Sequence, residues 1–332
     1  MNAPRTLTTS FLLLLLTHLL RAADPGWERL PPLPEPNGGF VCGVDHGRVV
    51  VAGGTNWAGG RKNWLKAVHV LDPLKRTWET VNELGQPLAY GVADRSARGM
   101  MAGGALVILG GFTGEQGFLR QIWIENGSRL VRDALPAADA RSLAAGGWIG
   151  EEMILCGGSR DPADLAGARR DTLAVDGRGN VRRLADRPGP GFVSSGSAVA
   201  ANQLFVFGGA AWDAGGKSVR NLAETSAFRP ADNAWRPIRP LPQPVRGCTA
   251  AALSDDRIYL AGGYKNDEEG FTDEAWIYDI GRDEYRPARP LPYKAMVSLV
   301  VCDGFLYCLG GEDRKQSRTD AAFRIPVAEL LK

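Results

Sequence analysis

No run of lysine or arginine occurs anywhere in this chain, and its 39 Lys+Arg stand against 37 Asp+Glu. Residues 1–23 hold Arg5, Arg21 and no acid, so the remainder balances at 37 of each sign. A chain with neither net charge nor a basic stripe makes no field that gathers phosphates, and nucleic acid is not an expected partner. Histidine is scarce too: His18, His46 and His69 are the only three. His46 falls in the turn Asp45-His46-Gly47 and His69 within a strand pattern. Spacing therefore offers no multi-histidine metal site, and no metal or cofactor is expected. Five cysteines, at 42, 156, 248, 302 and 308, form an odd set without metal-ligand spacing. Cys302 and Cys308 flank Asp303-Gly304, a two-residue hairpin turn that sets Cys302 against Phe305 and Cys308 against Leu299. They read as small buried thiols, with a disulfide framework as the rival reading for an exported chain.

Long apolar runs are missing as well. The one pronounced run, Phe11–Leu20, has ten residues, only about half of a bilayer span. Arg5 precedes it, Ala22-Ala23 follows, and no cysteine behind it offers a lipid anchor. Residues 1–23 thus read as a signal peptide and 24–332 as a single domain. The product is expected to be exported, periplasmic or extracellular, with no membrane span once the leader is removed.

What the chain has in abundance is turn-forming residues, 42 Gly and 21 Pro, which argues against long helices. The glycines are organised. A Gly-Gly pair closes an apolar run six times, ending at Gly54, Gly111, Gly158, Gly209, Gly263 and Gly311. The intervals are 57, 47, 51, 54 and 48 residues, the period of a repeat architecture. A second element follows each pair after a variable loop. In three units it shows two aromatic or apolar residues seven apart: Leu71 and Trp78, Phe228 and Trp235, Tyr278 and Tyr285. Each unit then reads as four short strands. Four strands cannot bury both faces alone, but sheets stacked radially bury one another's, and six of them close a ring.

The termini fit that closure. Trp27 is followed at five residues by Pro32-Leu33-Pro34, the offset also seen from Trp235 to Pro240 and from Tyr285 to Pro290. So the chain begins with a fourth strand, and the last unit ends in a third strand near 321–325. The N-terminal strand is expected to complete the C-terminal blade and remove an exposed edge. The prediction is an all-β, six-bladed β-propeller. Its Gly-Gly pairs and spaced aromatics resemble the kelch repeat over essentially all of residues 27–325.

Strand alternation sends the loops between second and third strands, and those between fourth and first strands, to one face. There, around the channel, a propeller builds its site. The residues following the six Gly-Gly pairs are Thr55, Phe112, Ser159, Ala210, Tyr264 and Glu312, placed at the channel mouth. Only Glu312 is ionisable, and Arg318 lies in the same loop. The pair reads either as a solvated surface ion pair or as a carboxylate base beside a guanidinium that holds an anion. Tyr90, Arg246 and Tyr293 fall near fourth-to-first-strand loops, and Asn56 follows a Gly-Gly pair. These four are the expected substrate-binding residues.

The segment Gly311-Glu312 through Arg318-Thr319-Asp320 and Phe323 is similar to the catalytic loop of the sialic acid mutarotases, or N-acetylneuraminate epimerases. In that family a Glu after the glycine, and an Arg six residues on before Thr-Asp, are implicated in catalysis. Gly38-Gly39-Phe40, Gly53-Gly54-Thr55-Asn56-Trp57 and Ala89-Tyr90-Gly91-Val92 are similar to further elements of the family. They precede the Glu/Arg loop here and follow it there, an order resembling the cyclically permuted branch. Leu88 stands where that family has an arginine, and Cys248 near an expected histidine. The resemblance implies interconversion of the anomers of an acidic sugar such as N-acetylneuraminate, by acid–base ring opening without metal, with Glu312 as base and Arg318 holding the carboxylate or polarising oxygen. The alternative is a non-catalytic propeller that binds glycan or protein. A copper radical oxidase would need more histidines than this chain has. A sialidase would show Ser-x-Asp-x-Gly-x-x-Trp boxes, and none occurs.

Overall fold

The computed structural model describes residues 26–96, 105–115, 120–125, 128–133 and 136–332; the expected signal segment, 1–23, lies outside them. The described strands form six four-stranded antiparallel sheets, five of them running in simple chain order. The first strands are Val41–Asp45, Val92–Arg95, Ala145–Ile149, Gly196–Ala200, Thr249–Ser254 and Met296–Cys302. Each touches the next, and the last touches the first, around a central channel. The protein is a six-bladed β-propeller of kelch type. We number the blades 1 to 6 by these strands.

Blade 6 is the exception to simple order, because the N-terminal segment supplies its outermost strand. Glu28 pairs with Arg324 and Arg29 with Phe323, and the Arg324 guanidinium meets the Glu28 carboxylate at 2.8 Å. Trp27 is buried beside Leu291, Ile325 and Leu330. The ring is therefore closed by strand pairing between the two ends of the described chain, which covers the edge that Ala322–Pro326 would otherwise expose.

The repeated aromatics have a specific task. Leu71 faces Trp78, Phe228 faces Trp235 and Tyr278 faces Tyr285 across the third and fourth strands of their blades. Each fourth-strand aromatic also reaches the preceding blade. Trp78 Nε1–H donates to Pro31 O at 3.1 Å, Trp235 to Ala185 O at 3.0 Å, and Trp27 to Pro290 O at 2.8 Å. Tyr285 O–H donates to Arg239 O at 3.0 Å. The acceptors lie on segments leaving a fourth strand, where proline supplies no N–H of its own. The offset from aromatic to Pro-Leu-Pro is the sequence trace of this clasp.

The Gly-Gly pairs act at the inner end of each blade. Gly54 N–H donates to Leu88 O of the next blade at 2.7 Å, with φ +108°. A methyl group on Gly53, φ +66°, would land on that same carbonyl. The first glycine leaves room for the neighbouring carbonyl and the second donates to it. Core packing follows from the stacking: Gln203–Phe207, for instance, is buried at every position.

Two loops on the site-bearing face carry more structure than short strands imply. In blade 1 the ladder runs past the glycines, with Thr55 pairing Trp64 and Asn56 pairing Asn63. Within 210–224, Ala210–Asp213 and Ser218–Asn221 form a hairpin of their own. Thr55, Ser159 and Ala210 also differ from the expected channel-mouth placement. Each is fully buried and pairs back onto the segment entering its own first strand, at Gly38, Ser142 and Val193. All five cysteines are free thiols, and Cys302 opposes Phe305 while Cys308 opposes Leu299, as the hairpin register predicts.

Trp27→Ala should cost about 3 kcal/mol of folding stability, the lower end for a buried aromatic. Trp27→Phe, which loses chiefly the bond to Pro290, should cost about 1 kcal/mol. Urea unfolding of the three proteins checks the order; equal midpoints would show that the clasp contributes nothing.

Candidate functional site

Glu312 ends the second strand of blade 6, where it pairs with Met296 across a bulge. The chain then turns through 313–317, and Arg318 comes back beneath it. Arg318 Nη1 lies 3.0 Å from Glu312 Oε2, with the guanidinium side chain 5% exposed and the carboxylate 30%. Its remaining contacts are backbone and hydroxyl: Nη1 to Ser317 O at 2.6 Å and Nε to Thr55 Oγ1 at 3.3 Å. Blade 1 is cut away to admit it. A methyl on Gly38 would strike Arg318 Cδ, and one on Gly39 would strike the Tyr90 ring. The element Gly38-Gly39-Phe40 thus makes room for two side chains of neighbouring blades and then buries Phe40 in the core.

The pair faces a pocket of about 210 Å³ at the channel mouth, lined by Tyr90, Leu143, Ser194, Met296, Glu312 and Arg318 among others. Five blades build its floor in the same way. Tyr90 N–H donates to Gly39 O at 2.7 Å, Leu143 to Tyr90 O at 2.9 Å, Ser194 to Leu143 O at 3.0 Å, and Gly247 to Ser194 O at 2.7 Å. All five residues have positive φ, including the non-glycines Tyr90, Leu143 and Ser194, a conformation that costs strain and is held by the ring. Blade 6 breaks the pattern: Met296 pairs with Glu312 as Gly38 pairs with Thr55, but no residue of positive φ follows it.

Electrostatics favour a carboxyl ready to exchange a proton. Burial raises the Glu312 pKa above its ordinary value, and the charges of Arg318 and Lys62 only partly oppose that rise. Lys62 stands at the rim with Nζ 4.5 Å from the Trp64 ring centroid and 5.1 Å from that of Tyr90. Trp64 meets Tyr90 edge to face at 5.9 Å and lies tilted against Phe112 at 5.3 Å. Among the described residues no group of three His, Cys, Asp or Glu side chains could hold a metal ion.

The other sequence-predicted residues separate from this pocket, Tyr90 excepted. Asn56 is held within its own hairpin, donating to Glu35 Oε2 at 3.0 Å and accepting from Ala58 N–H and Asn63 Nδ2. Arg246 stacks on Tyr264 at 4.4 Å and donates to Asn221 Oδ1 at 3.1 Å. Tyr293 donates to Gly310 O at 2.8 Å and packs on Phe323. Burial drives its phenol pKa well above the ordinary range. Leu88 is fully buried with Leu106 and Ile108 between blades 1 and 2, away from the pocket, and Cys248 is a buried thiol raised to about 11 by desolvation. Lys62 and Trp64 went unmarked in the sequence. Their signal was position alone, in a loop on the site-bearing face.

A larger cavity of about 940 Å³ extends along the channel toward the turns at His46-Gly47 and Asp303. Its walls are chiefly small strand residues. Asp94 in that wall has both oxygens engaged, by Trp148 N–H and Arg95 N–H at 2.7 Å each. Arg48, Asp72 and Asp303 also line this cavity, whereas the Glu312–Arg318 pair lines the smaller pocket.

Residues 36–85 and 246–292 match the family model described as the Kelch motif. Kelch-like protein 35 of Mus musculus is 33% identical over 138 residues, 41% of this chain and 22% of that protein. Kelch-like protein 23 of Homo sapiens is 27% identical over 137 residues, 39% of this chain and 23% of that protein. The chain thus covers under a quarter of the length of these relatives. Among solved structures, that of YjhT superposes with a TM-score of 0.70 over 88% of this chain and 95% of that one. At 14% identity this is a likeness of fold.

A carboxyl whose pKa is raised on folding binds more protons folded than unfolded between the unfolded value, 4.5, and the folded one. Its contribution to stability is therefore fully present below 4.5 and falls as pH rises through the folded pKa. Glu312→Gln removes that dependence. The variant should gain stability relative to the parent on going from about pH 4 to about pH 7. Calorimetric melting at both values checks it, and a relative loss on raising the pH would contradict the assignment.

Proposed function

We propose that this propeller is a mutarotase of a small acidic sugar, of the sialic acid type. The observation that carries the reading is Glu312: a half-buried carboxyl of raised pKa, held 3.0 Å from a buried guanidinium, at a pocket where the channel opens. A pocket of about 210 Å³ suits one sugar ring rather than an oligosaccharide.

The chemistry asks for little more. The Glu312 carboxylate takes the proton of the anomeric hydroxyl. As that O–H pair becomes a carbonyl, the bond from the anomeric carbon to the ring oxygen breaks and its electrons pass to the ring oxygen. The carboxyl now holding a proton returns one there. Rotation of the open form and closure onto the other face of the carbonyl gives the other anomer, with no net change of oxidation state. A raised pKa suits both halves of this cycle, since one group must accept and then release. Arg318 keeps Glu312 ionised enough to act as base and fixes where its oxygens point.

A glycan-binding platform without chemistry is the second reading. It is favoured by Arg318, whose Nη1 and Nε are taken by Glu312, Ser317 and Thr55, which leaves only Nη2 for a reacting oxygen. Leu88 does not favour it, because that position belongs to the core between blades.

Glu312→Gln keeps shape and hydrogen bonding but cannot accept the proton. Catalysed anomer exchange of N-acetylneuraminate, followed by exchange NMR, should fall on the order of 10²–10⁴-fold, the usual worth of a positioned general base. Exchange in the parent no faster than in buffer would select the binding platform, and parental rates in a folded Glu312→Gln protein would remove Glu312 from the mechanism.

A further inference from the structure

We propose that Lys62, carried over the channel mouth by the blade 1 hairpin and seated on Trp64 and Tyr90, is the residue that recognises the anionic group of the ligand, while Arg318 positions Glu312. This rests on the reading of the pocket as an acidic-sugar site and redistributes the work within it.

Two cations act on Glu312, and they differ in how they are held. Arg318 is 5% exposed, with Nη1 given to Glu312 and Ser317 O and Nε to Thr55 Oγ1. Without displacing Glu312 or Thr55 only its Nη2 can meet a ligand oxygen, and a bidentate contact through Nη1 and Nη2 requires exchanging the Glu312 oxygen for the ligand's. That exchange would leave the catalytic carboxyl buried without its counter-charge. Lys62 is half-buried, and its ammonium rests on two aromatic faces, at 4.5 Å from Trp64 and 5.1 Å from Tyr90. Cation–π contact fixes where the charge sits without occupying its hydrogen-bond donors. An ammonium so placed has N–H groups to offer an incoming anion.

The seating is built. The Tyr90 ring is held by its place on the pocket floor and packs on Gly39. Trp64 is pinned between Tyr90, Phe112 and Gly114, where a methyl would meet the indole at 2.9 Å. Two blades thus hold one lysine at the edge of a pocket whose inner wall is a carboxylate. A ligand whose carboxylate meets Lys62 has its sugar ring directed inward, toward Glu312, and is kept from approaching with its own charge against Glu312 by like-charge repulsion.

The test pairs a charged ligand with its neutral counterpart. N-acetylneuraminate and its methyl ester are titrated by saturation-transfer NMR into the parent, Lys62→Met and Lys62→Arg, and anomer exchange is followed on the same samples. Lys62→Met should weaken binding of the acid by about tenfold to a hundredfold, the range for one charge-assisted contact. Binding of the ester should change less than about twofold, since the methionine stem still covers the rings. Lys62→Arg should restore the acid's preference. Unchanged binding of the acid in Lys62→Met, or equal losses for acid and ester, would overturn the role of Lys62. A parent that accelerates exchange of acid and ester equally overturns it too while leaving the mutarotase reading intact. A parent that neither binds nor exchanges the acid overturns both. Trp64→Leu, which removes the seat, should reproduce part of the Lys62→Met loss for the acid; no loss would break the link between the ring and the charge.

Discussion

One backbone hydrogen bond, made six times, sets the geometry of this molecule. The N–H of the second glycine in each Gly-Gly pair donates to the carbonyl just ahead of the next blade's first strand. The acceptors are Leu88, Arg141, Phe192, Val245, Ala295 and Asn37, at 2.7 to 3.0 Å. The sixth of these, Gly311 to Asn37, joins the last blade to the first. Singly such a bond contributes about 1 kcal/mol, but leaving its buried donor or acceptor unmatched would cost about 1–3 kcal/mol. All six must therefore be made together, and that fixes the blade-to-blade spacing. The residue supplying each carbonyl points its side chain between blades. Leu88 and Phe192 are apolar there, and Arg141 is fully buried in a pair with Asp171 at 3.0 Å.

This is why the fold was so readable. Glycine was required at twelve positions by positive φ, and at ten of them also by the close approach of a neighbouring backbone. The clasp from fourth-strand aromatic to preceding blade was legible for the same reason, in blades 1, 4, 5 and 6. In blade 3 the fourth strand Val181–Leu184 has the sequence VRRL, and Val181 opposes Val175 where blades 4 and 5 carry an aromatic pair. There an ion network takes its place: Arg183 and Arg169 with Asp139 and Asp171. Charged residues at that spacing look like any solvated strand, so the sequence carried no sign of it.

The candidate site was legible in part, for a physical reason again. Glu312 stood out because the repeat places uncharged residues at its five counterparts. Arg318 followed from being in reach. Asn56, Arg246 and Tyr293 had the right loops but not the right direction, because loop membership says nothing about which way a side chain turns. Tyr293 illustrates this best: its hydroxyl completes a carbonyl bond of the first glycine of a pair, Gly310, which is architecture. Lys62 and Trp64 lie in a stretch where the blade 1 ladder continues beyond its glycines. That extension, not any motif, carries them over the mouth.

The site and the ring closure share a seam. Glu312 and Arg318 belong to blade 6, whereas Thr55, Gly38 and the hairpin carrying Lys62 belong to blade 1. The Asn37 carbonyl that accepts from Gly311 is followed at once by Gly38, the residue cut away for Arg318. On the outer side, the same seam is held by Trp78 donating to Pro31 on the N-terminal strand's exit. A change that loosens blade 6 from blade 1 would therefore move the guanidinium away from its notch before it unfolded any sheet. Blade 6 also lacks the strained residue that the other five contribute to the pocket floor. Met296 pairs with Glu312 as Gly38 pairs with Thr55 and Ala89 with Phe112, but one residue instead of two then leads into the first-strand ladder. The carboxylate and the missing strained residue thus belong to the same blade: the ring supplies five equivalent floor positions, and the proposed chemistry sits beside the sixth, where the floor is one residue short.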